Sequence, residues 1–248
     1  MNEGFSRRAL LLGGMGVAGL AVGAGTAEAI DRSTTSEPAP EQIPVTEDLM
    51  TDHGMLKRIL LVYRECVRRL GSGEDLDPAP LFHSAQVVHD YIEGFHEGVE
   101  EGYVFPRLLR AHTLTSTVET LLTQHDRGRK LTIQIIDAST LMKMNGMPAA
   151  PGFATAQART ALATTLTRFI DMYEPHEARE DTEIFPALRR VTSPGEFAAI
   201  SRAVADDERR RYGSDPLSAF LGEIGGIETQ LGIHDLAKFT PPDPDPRP

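Results

Sequence analysis

Fifteen residues of this chain are written twice. His96-Glu-Gly-Val-Glu100-Glu-Gly-Tyr-Val-Phe105-Pro106-Arg-Leu108-Leu-Arg110 returns eighty positions later as His176-Glu-Ala-Arg-Glu180-Asp-Thr-Glu-Ile-Phe185-Pro186-Ala-Leu188-Arg-Arg190, without gaps and with seven of the fifteen positions identical. In a helix, His and Glu four residues apart lie one above the other, so an imidazole nitrogen and a carboxylate oxygen can reach one metal ion or two adjacent ones. A further histidine on a helical pattern precedes each copy, His53 and His125, which gives two half-sites of the form His … His-x-x-x-Glu. Folded together, His53, His96, Glu100, His125, His176 and Glu180 match the donor types of carboxylate-bridged di-metal sites in four-helix bundles. Burying four imidazoles and two carboxylates without a cation would be very costly, so the pattern predicts a metal centre.

The doubled motif resembles the hemerythrin-like HHE cation-binding family, whose hallmark is two His-x-x-x-Glu segments running into Phe-Pro, with separate histidines on the other two helices. The likeness spans about Val45 to Pro241, since the closing Leu231-Gly-Ile-His-Asp-Leu-Ala-Lys-Phe-Thr-Pro241 also resembles the end of such proteins. It implies an all-α, up-down four-helix bundle. One departure matters: oxygen-carrying hemerythrins place a second histidine one turn beyond the third-helix ligand, where this chain has Arg129 after His125. That argues against reversible oxygen carriage and for the carboxylate-richer branch, which resembles iron-sensing and iron-handling domains.

The expected centre holds two metal ions, with Glu100 and Glu180 bridging, His53 and His96 serving one ion and His125 and His176 the other. Mixed imidazole and carboxylate ligation with open positions suits iron, with manganese or zinc as alternatives; a closed structural zinc site more often uses thiolates. Open positions invite oxygen, peroxide or nitric oxide. The alternatives are a non-catalytic iron store, sensor or carrier, or a structural metal, and no motif decides whether the chain is an enzyme. Glu97 and Glu177 directly follow the ligand histidines but point about 100° away, which makes them reserve ligands. His89, two turns before His96, is expected as a polar neighbour of the site or of the core, and Tyr173 as a buried tyrosine that can lend its hydroxyl. Gly128, one turn after His125, either leaves room for a small ligand or marks a close helix contact.

The elements that must position these residues are helical. The 248 residues contain no tryptophan and no alternating Val/Ile/Thr run of strand length, so an all-helical domain is expected. Net charge is −11, unchanged without residues 1–29, which excludes a basic nucleic-acid surface. Cys66 is the only cysteine, so no intramolecular disulfide forms, and its helical pattern places it in the core.

Arg7-Arg8, the apolar run Ala9 to Gly25 and the small-x-small Ala27-Glu-Ala29 read as a signal peptide of twin-arginine type over residues 1–29. This predicts export to the periplasm or outside the cell, the twin-arginine machinery as a partner, and a mature form that does not span the membrane. Residues 30–44 read as a disordered tether, 45–191 as the bundle, 192–239 as two additional C-terminal helices packed on it, and 240–248 as a disordered Pro-rich tail.

Leu49, His53, Leu56, Leu60, Tyr63, Val67 and Leu70 form a seam ending at Gly71-Ser-Gly73, and Asp77-Pro78 starts the second helix. Ser116-Thr-Val-Glu119 has the capping-box form for the third helix, and Asn145-Gly146 is its expected stop. The fourth carries Leu162, Leu166, Phe169, Tyr173, His176 and Glu180 inward, with Pro175 expected to kink it. Ser193-Pro194 and Asp215-Pro216 start the last two.

Overall fold

The first helix gathers its stability from a seam and an acidic start. Glu47 and Asp48 lie in the first turn of α1 (Val45–Ser72), where carboxylates complement the helix dipole. Leu49, His53, Leu56, Leu60, Tyr63 and Leu70 are all buried along it. Gly73 ends the helix at φ 77, a left-handed conformation that glycine adopts without a Cβ clash. This computed structural model describes residues 43–144 and 147–244. The expected signal at 1–29, nearly all of the tether and the last four residues of the tail lie outside the described residues.

Asp77 accepts from the Ala79 N–H at 3.0 Å and Pro78 takes the first helical position, opening α2 (residues 78–110). This rod is α-helical over Pro78–Val87, widens to i→i+5 hydrogen bonding over Val88–His96, tightens at Glu97–Val99, widens again at Glu100–Val104 and finishes as Phe105–Arg110. α3 (Thr115–Ser139) and α4 (residues 156–191) complete the long helices, and α4 repeats the device with a wide turn at Glu180–Ile184 between Ala156–Arg179 and Phe185–Val191.

The repeated wide turn has a chemical cause. Pro106 and Pro186 have no N–H for the carbonyl four residues earlier, and their rings crowd it. Widening the turn re-pairs the ladder: the Phe105 N–H bonds to the Glu100 carbonyl and the Phe185 N–H to the Glu180 carbonyl. The helices therefore neither stop nor break at the prolines, and Pro175 likewise sits inside a helix that continues to Arg179.

Two expected boundaries are corrected. α3 begins at Thr115 with Leu114, at φ 52, as its cap, so Ser116 lies within the helix and no side-chain cap forms. The loop from α2 sets the cap two residues earlier than the capping box requires. α3 also stops at Ser139, short of Asn145-Gly146, because β1 (Met142–Met144) and β2 (Met147–Ala149) pair antiparallel around that dipeptide, with Met142 opposite Ala149. Asn-Gly between short apolar runs is a hairpin signal as well as a helix stop. Asn145 and Gly146 themselves lie outside the described residues.

α1 packs along α4, α3 packs against both α2 and α4, and α1 also meets α2, so the four buried stripes share one core. Ser193 accepts from the Glu196 N–H at 3.3 Å to start α5 (Pro194–Tyr212), and Asp215 accepts from the Ser218 N–H at 3.2 Å to start α6 (Pro216–Leu231). These two rest on α1 and the first part of α2. Arg58 grips Glu228 of α6 through two hydrogen bonds of 2.8 and 2.6 Å, Tyr212 meets Tyr91 edge-on, and Phe220 packs tilted against it. Among the described residues no helix is long and apolar enough to cross a membrane.

Candidate metal centre

The four helices bring all six predicted residues to one place in the interior, each at most 4% exposed. Two donor sets form, His53, His96, Glu100, Glu180 and Glu100, His125, His176, Glu180, and within each the donor atoms lie within 4.8 Å of one another. The two glutamates belong to both. Glu100 lies 3.5 Å from the Nε2 atoms of His96 and His125, and Glu180 lies 3.3 and 3.1 Å from those of His53 and His176. The imidazoles also pair, His53 with His96 at 3.1 Å and His125 with His176 at 3.2 Å, Nε2 to Nε2.

The outward nitrogens decide what the inward ones can do. His53 Nδ1 lies 2.7 Å from Asp181, His96 Nδ1 3.1 Å from Asp52, His125 Nδ1 3.0 Å from Glu101 and His176 Nδ1 2.9 Å from Gln124 Oε1. Each partner atom is an acceptor, which assigns the proton of a neutral ring to Nδ1 and leaves the Nε2 lone pair facing the carboxylates. All four oxygens of Glu100 and Glu180 are buried with no hydrogen-bond donor. Lone pairs and carboxylate oxygens at 3.1–3.5 Å repel unless a positive charge stands among them. Donors bonded to one ion at about 2.0–2.2 Å are separated by distances of this order. The residues thus fit metal ions, and a cavity of about 10 Å³ lined by His53, His96, Glu100 and His176 opens among them.

The titration shifts express the same demand for positive charge. Burial works against the His53 imidazolium, but the carboxylates of Asp181 and Glu180 beside it outweigh burial and hold its pKa at about 9. His96 is likewise raised against burial, by the Glu100 charge and the Asp52 hydrogen bond, and His125 by Glu101. Glu180 is held below the carboxylate range despite its burial, by His176 and His53.

Around this layer Phe185 lies over His53 at 5.5 Å and Phe105 over His125 at 5.6 Å, ring centre to ring centre, so each Phe-Pro puts an apolar lid on a ligand histidine. Glu97 and Glu177 are buried but engaged by cations: Arg129 lies 2.7 Å from Glu97, and Lys57 pairs with Glu177. Tyr173 donates to Glu97 at 2.8 Å. Its hydroxyl occupies the space beside Gly128, where a Cβ would fall 1.9 Å away, so the glycine marks a close helix contact. His125, Glu101 and Glu97 also converge, but Arg129, 2.6 Å from Glu101, already supplies the cation there.

His89 is the residue that sequence reasoning misplaced. Its side chain is half exposed and meets Glu93 at 3.4 Å. The wide turns over Val88–His96 change the helical phase, so seven residues no longer return to the same face. Sequence reasoning passed over Asp52, Glu101, Gln124 and Asp181, although each adjoins a predicted ligand in sequence: Asp52 and Gln124 precede His53 and His125, while Glu101 and Asp181 follow Glu100 and Glu180.

An all-α protein whose helices converge buried His and Glu clusters able to hold metal belongs to the class of helical cation-binding proteins. Residues 45–188 match the hemerythrin HHE cation binding domain, and the chain belongs to that family. It is 46% identical over 209 residues to Uncharacterized protein Mb2018 of Mycobacterium bovis and to Uncharacterized proteins Rv1995 and MT2051 of Mycobacterium tuberculosis, covering 83% of this chain and 78% of each relative. No solved structure matches it.

Proposed function

We propose that this protein is an exported di-iron protein that binds or reacts with oxygen, peroxide or nitric oxide. The observation that carries the reading is the sharing of Glu100 and Glu180 between two imidazole pairs. In it, α1–α4 form an up-down bundle, His53 and His96 hold one ion, His125 and His176 the other, and the two glutamates bridge. Iron bound there supplies redox-active, electrophilic coordination positions for small molecules; manganese or zinc would fit the same donors. The chain's own part is to fix each ring through its Nδ1 acceptor, to supply two bridging charges, and to keep bulk water out with Phe105 and Phe185.

The depth of the six donors favours a second reading, a non-catalytic iron store, sensor or carrier, since slow access suits retention. Metal analysis with visible spectra of the isolated, reduced and re-oxidised protein tests the first. Two irons per chain with charge-transfer bands that change on oxygen or nitric oxide are expected. One zinc per chain and no such bands would end the di-iron reading.

Export rests on Arg7-Arg8 and the apolar segment that follows. The twin-arginine machinery moves folded chains, which lets the metal be acquired in the cytoplasm before cleavage near Ala29 releases a periplasmic or extracellular protein. Replacing Arg7 and Arg8 with Lys is expected to leave metal-loaded precursor inside the cell; undiminished export would refute this route.

A further inference from the structure

The two halves of the centre are built alike at their ligands and differently behind them. Behind the His53–His96 half stand two carboxylates, Asp181 at 2.7 Å and Asp52 at 3.1 Å. Asp52 is itself 2% exposed and accepts from the Tyr91 hydroxyl at 3.0 Å, and Tyr91 packs beneath Tyr212 of α5 and Phe220 of α6. Glu208 of α5 lies 2.7 Å from the same hydroxyl, so the added helices close over this half.

Behind the His125–His176 half the charge is weaker. His176 leans on the neutral amide of Gln124 at 2.9 Å. Glu101, behind His125, shares its charge with Arg129 at 2.6 Å. A carboxylate behind an imidazole raises its basicity as a ligand, and losing such a partner typically costs about tenfold to a hundredfold in metal affinity. A surface pocket of about 330 Å³ also reaches this half: His176 and Gln124 form part of its wall, with Ser116, Thr120, Pro175 and Arg179 around them. Its lining combines hydroxyls, the Gln124 amide, the Arg179–Glu183 ion pair and the apolar Leu121 and Pro175, a mixed surface that admits hydrated cations and small polar ligands.

We propose that the halves are unequal in function: the His53–His96 half retains its ion, while the His125–His176 half exchanges its ion and admits small polar ligands through the Gln124 pocket. This rests on the two-ion reading above. Gln124 is then a positioning residue whose neutrality sets the exchange, and the pocket is the route.

Cobalt(II) titration of metal-free protein, followed by absorption and native mass spectrometry, with EDTA extraction from the loaded form, tests this. Two ions are expected to bind in steps about tenfold or more apart and to leave in two kinetic phases. Q124E should tighten the weaker step about tenfold and slow the fast phase, and D52N should weaken the tighter step. T120W, at the pocket wall, should slow fast extraction while leaving both equilibrium occupancies unchanged, which separates access from folding. Two indistinguishable ions, a weaker step unmoved by Q124E, or extraction unaffected by T120W would each overturn the proposal and leave the two-ion centre standing. Binding of one ion or none would instead remove the reading on which it rests.

Discussion

Replacing Gly128 with alanine perturbs the interior one turn from His125 through a contact whose size can be worked out. A Cβ there would lie 1.9 Å from the Tyr173 hydroxyl, 2.7 Å from Cζ and 2.9 Å from Cε2, while ordinary contact begins near 3.4 Å. The hydroxyl must therefore retreat by about 1.5 Å, more than packed interiors absorb without strain. Tyr173 is 1% exposed, with Phe169 at 4.4 Å and His176 at 5.4 Å between ring centres, so the ring has no free direction. Its 2.8 Å hydrogen bond to Glu97 is lost in any such movement. Overpacking costs about 1–3 kcal/mol, and a buried carboxylate deprived of its donor about 1–3 kcal/mol more. The better helix propensity of alanine returns about 1 kcal/mol. A net loss of about 1–5 kcal/mol follows, or roughly 3–15 °C in Tm for a domain of this size. Urea denaturation and thermal melting of G128A, Y173F and the double variant check it. Removing the hydroxyl removes the closest clash, so the double variant should lose less than the two single losses added together. If G128A is as stable as the parent, or the two substitutions simply add, the contact does not govern this part of the core.

Glu228 sets a pH-dependent tie between α6 and α1. Burial opposes its ionisation, but Arg58 and His234 hold its pKa below the ordinary carboxylate value, so its contribution is fully present above the unfolded-state pKa near 4.3 and is lost as pH falls through the lower folded value. E228Q should cost about 1.5–3 kcal/mol at pH 6, with the difference from the parent shrinking toward pH 3; a pH-independent difference in urea unfolding would contradict this. Cys66, fully buried and with its thiol pushed up to about 12 by that burial, should resist Ellman's reagent at pH 8 in the native protein and react fully once unfolded. E180A should lose more bound metal than H53A by elemental analysis, because Glu180 faces an imidazole of each pair while His53 belongs to one set. Equal losses would contradict the bridging role.

The parts of the centre that could be read from the sequence are those governed by helical spacing. His96 with Glu100 and His176 with Glu180 sit four apart on one face, and His53, His176 and Glu180 occupy seam positions otherwise filled by leucine and aromatic residues. Spacing arguments fail where the helix itself departs from 3.6 residues per turn. The wide turn over Val88–His96 carried His89 to the surface, and those after Glu100 and Glu180 re-pair the ladder ahead of Pro106 and Pro186. Local signals misled in a different way. Ser116 has the right neighbours for a cap, yet the left-handed Leu114 already sets the start of α3, a choice made by the loop from α2. The Nδ1 partners lie on neighbouring helices rather than on the ligand's own, so no single-helix pattern could name them.

Those partners show that the repeat is larger than fifteen residues. Asp52-His53 with Lys57 corresponds to Gln124-His125 with Arg129, seventy-two positions later. Each cation pairs with the glutamate that follows the opposing half's histidine, Lys57 with Glu177 after His176 and Arg129 with Glu97 after His96. Asp181 and Glu101, at one repeat position, likewise take His53 and His125. The unit that repeats is therefore a whole helix pair, α1–α2 followed by α3–α4, and the longer spacing in the second pair is taken up in the connection that carries the hairpin. Histidines and glutamates kept alike by the repeat form one layer able to hold metal, so differences between the halves must come from positions where the copies diverge. Two divergent positions hold a histidine Nδ1; Asp181 against Glu101 keeps a carboxylate, while Asp52 against Gln124 exchanges a charge for a neutral amide behind otherwise matching histidines. A centre of this kind is adjusted from behind its ligands, where one substitution changes an imidazole's strength without altering the donor set.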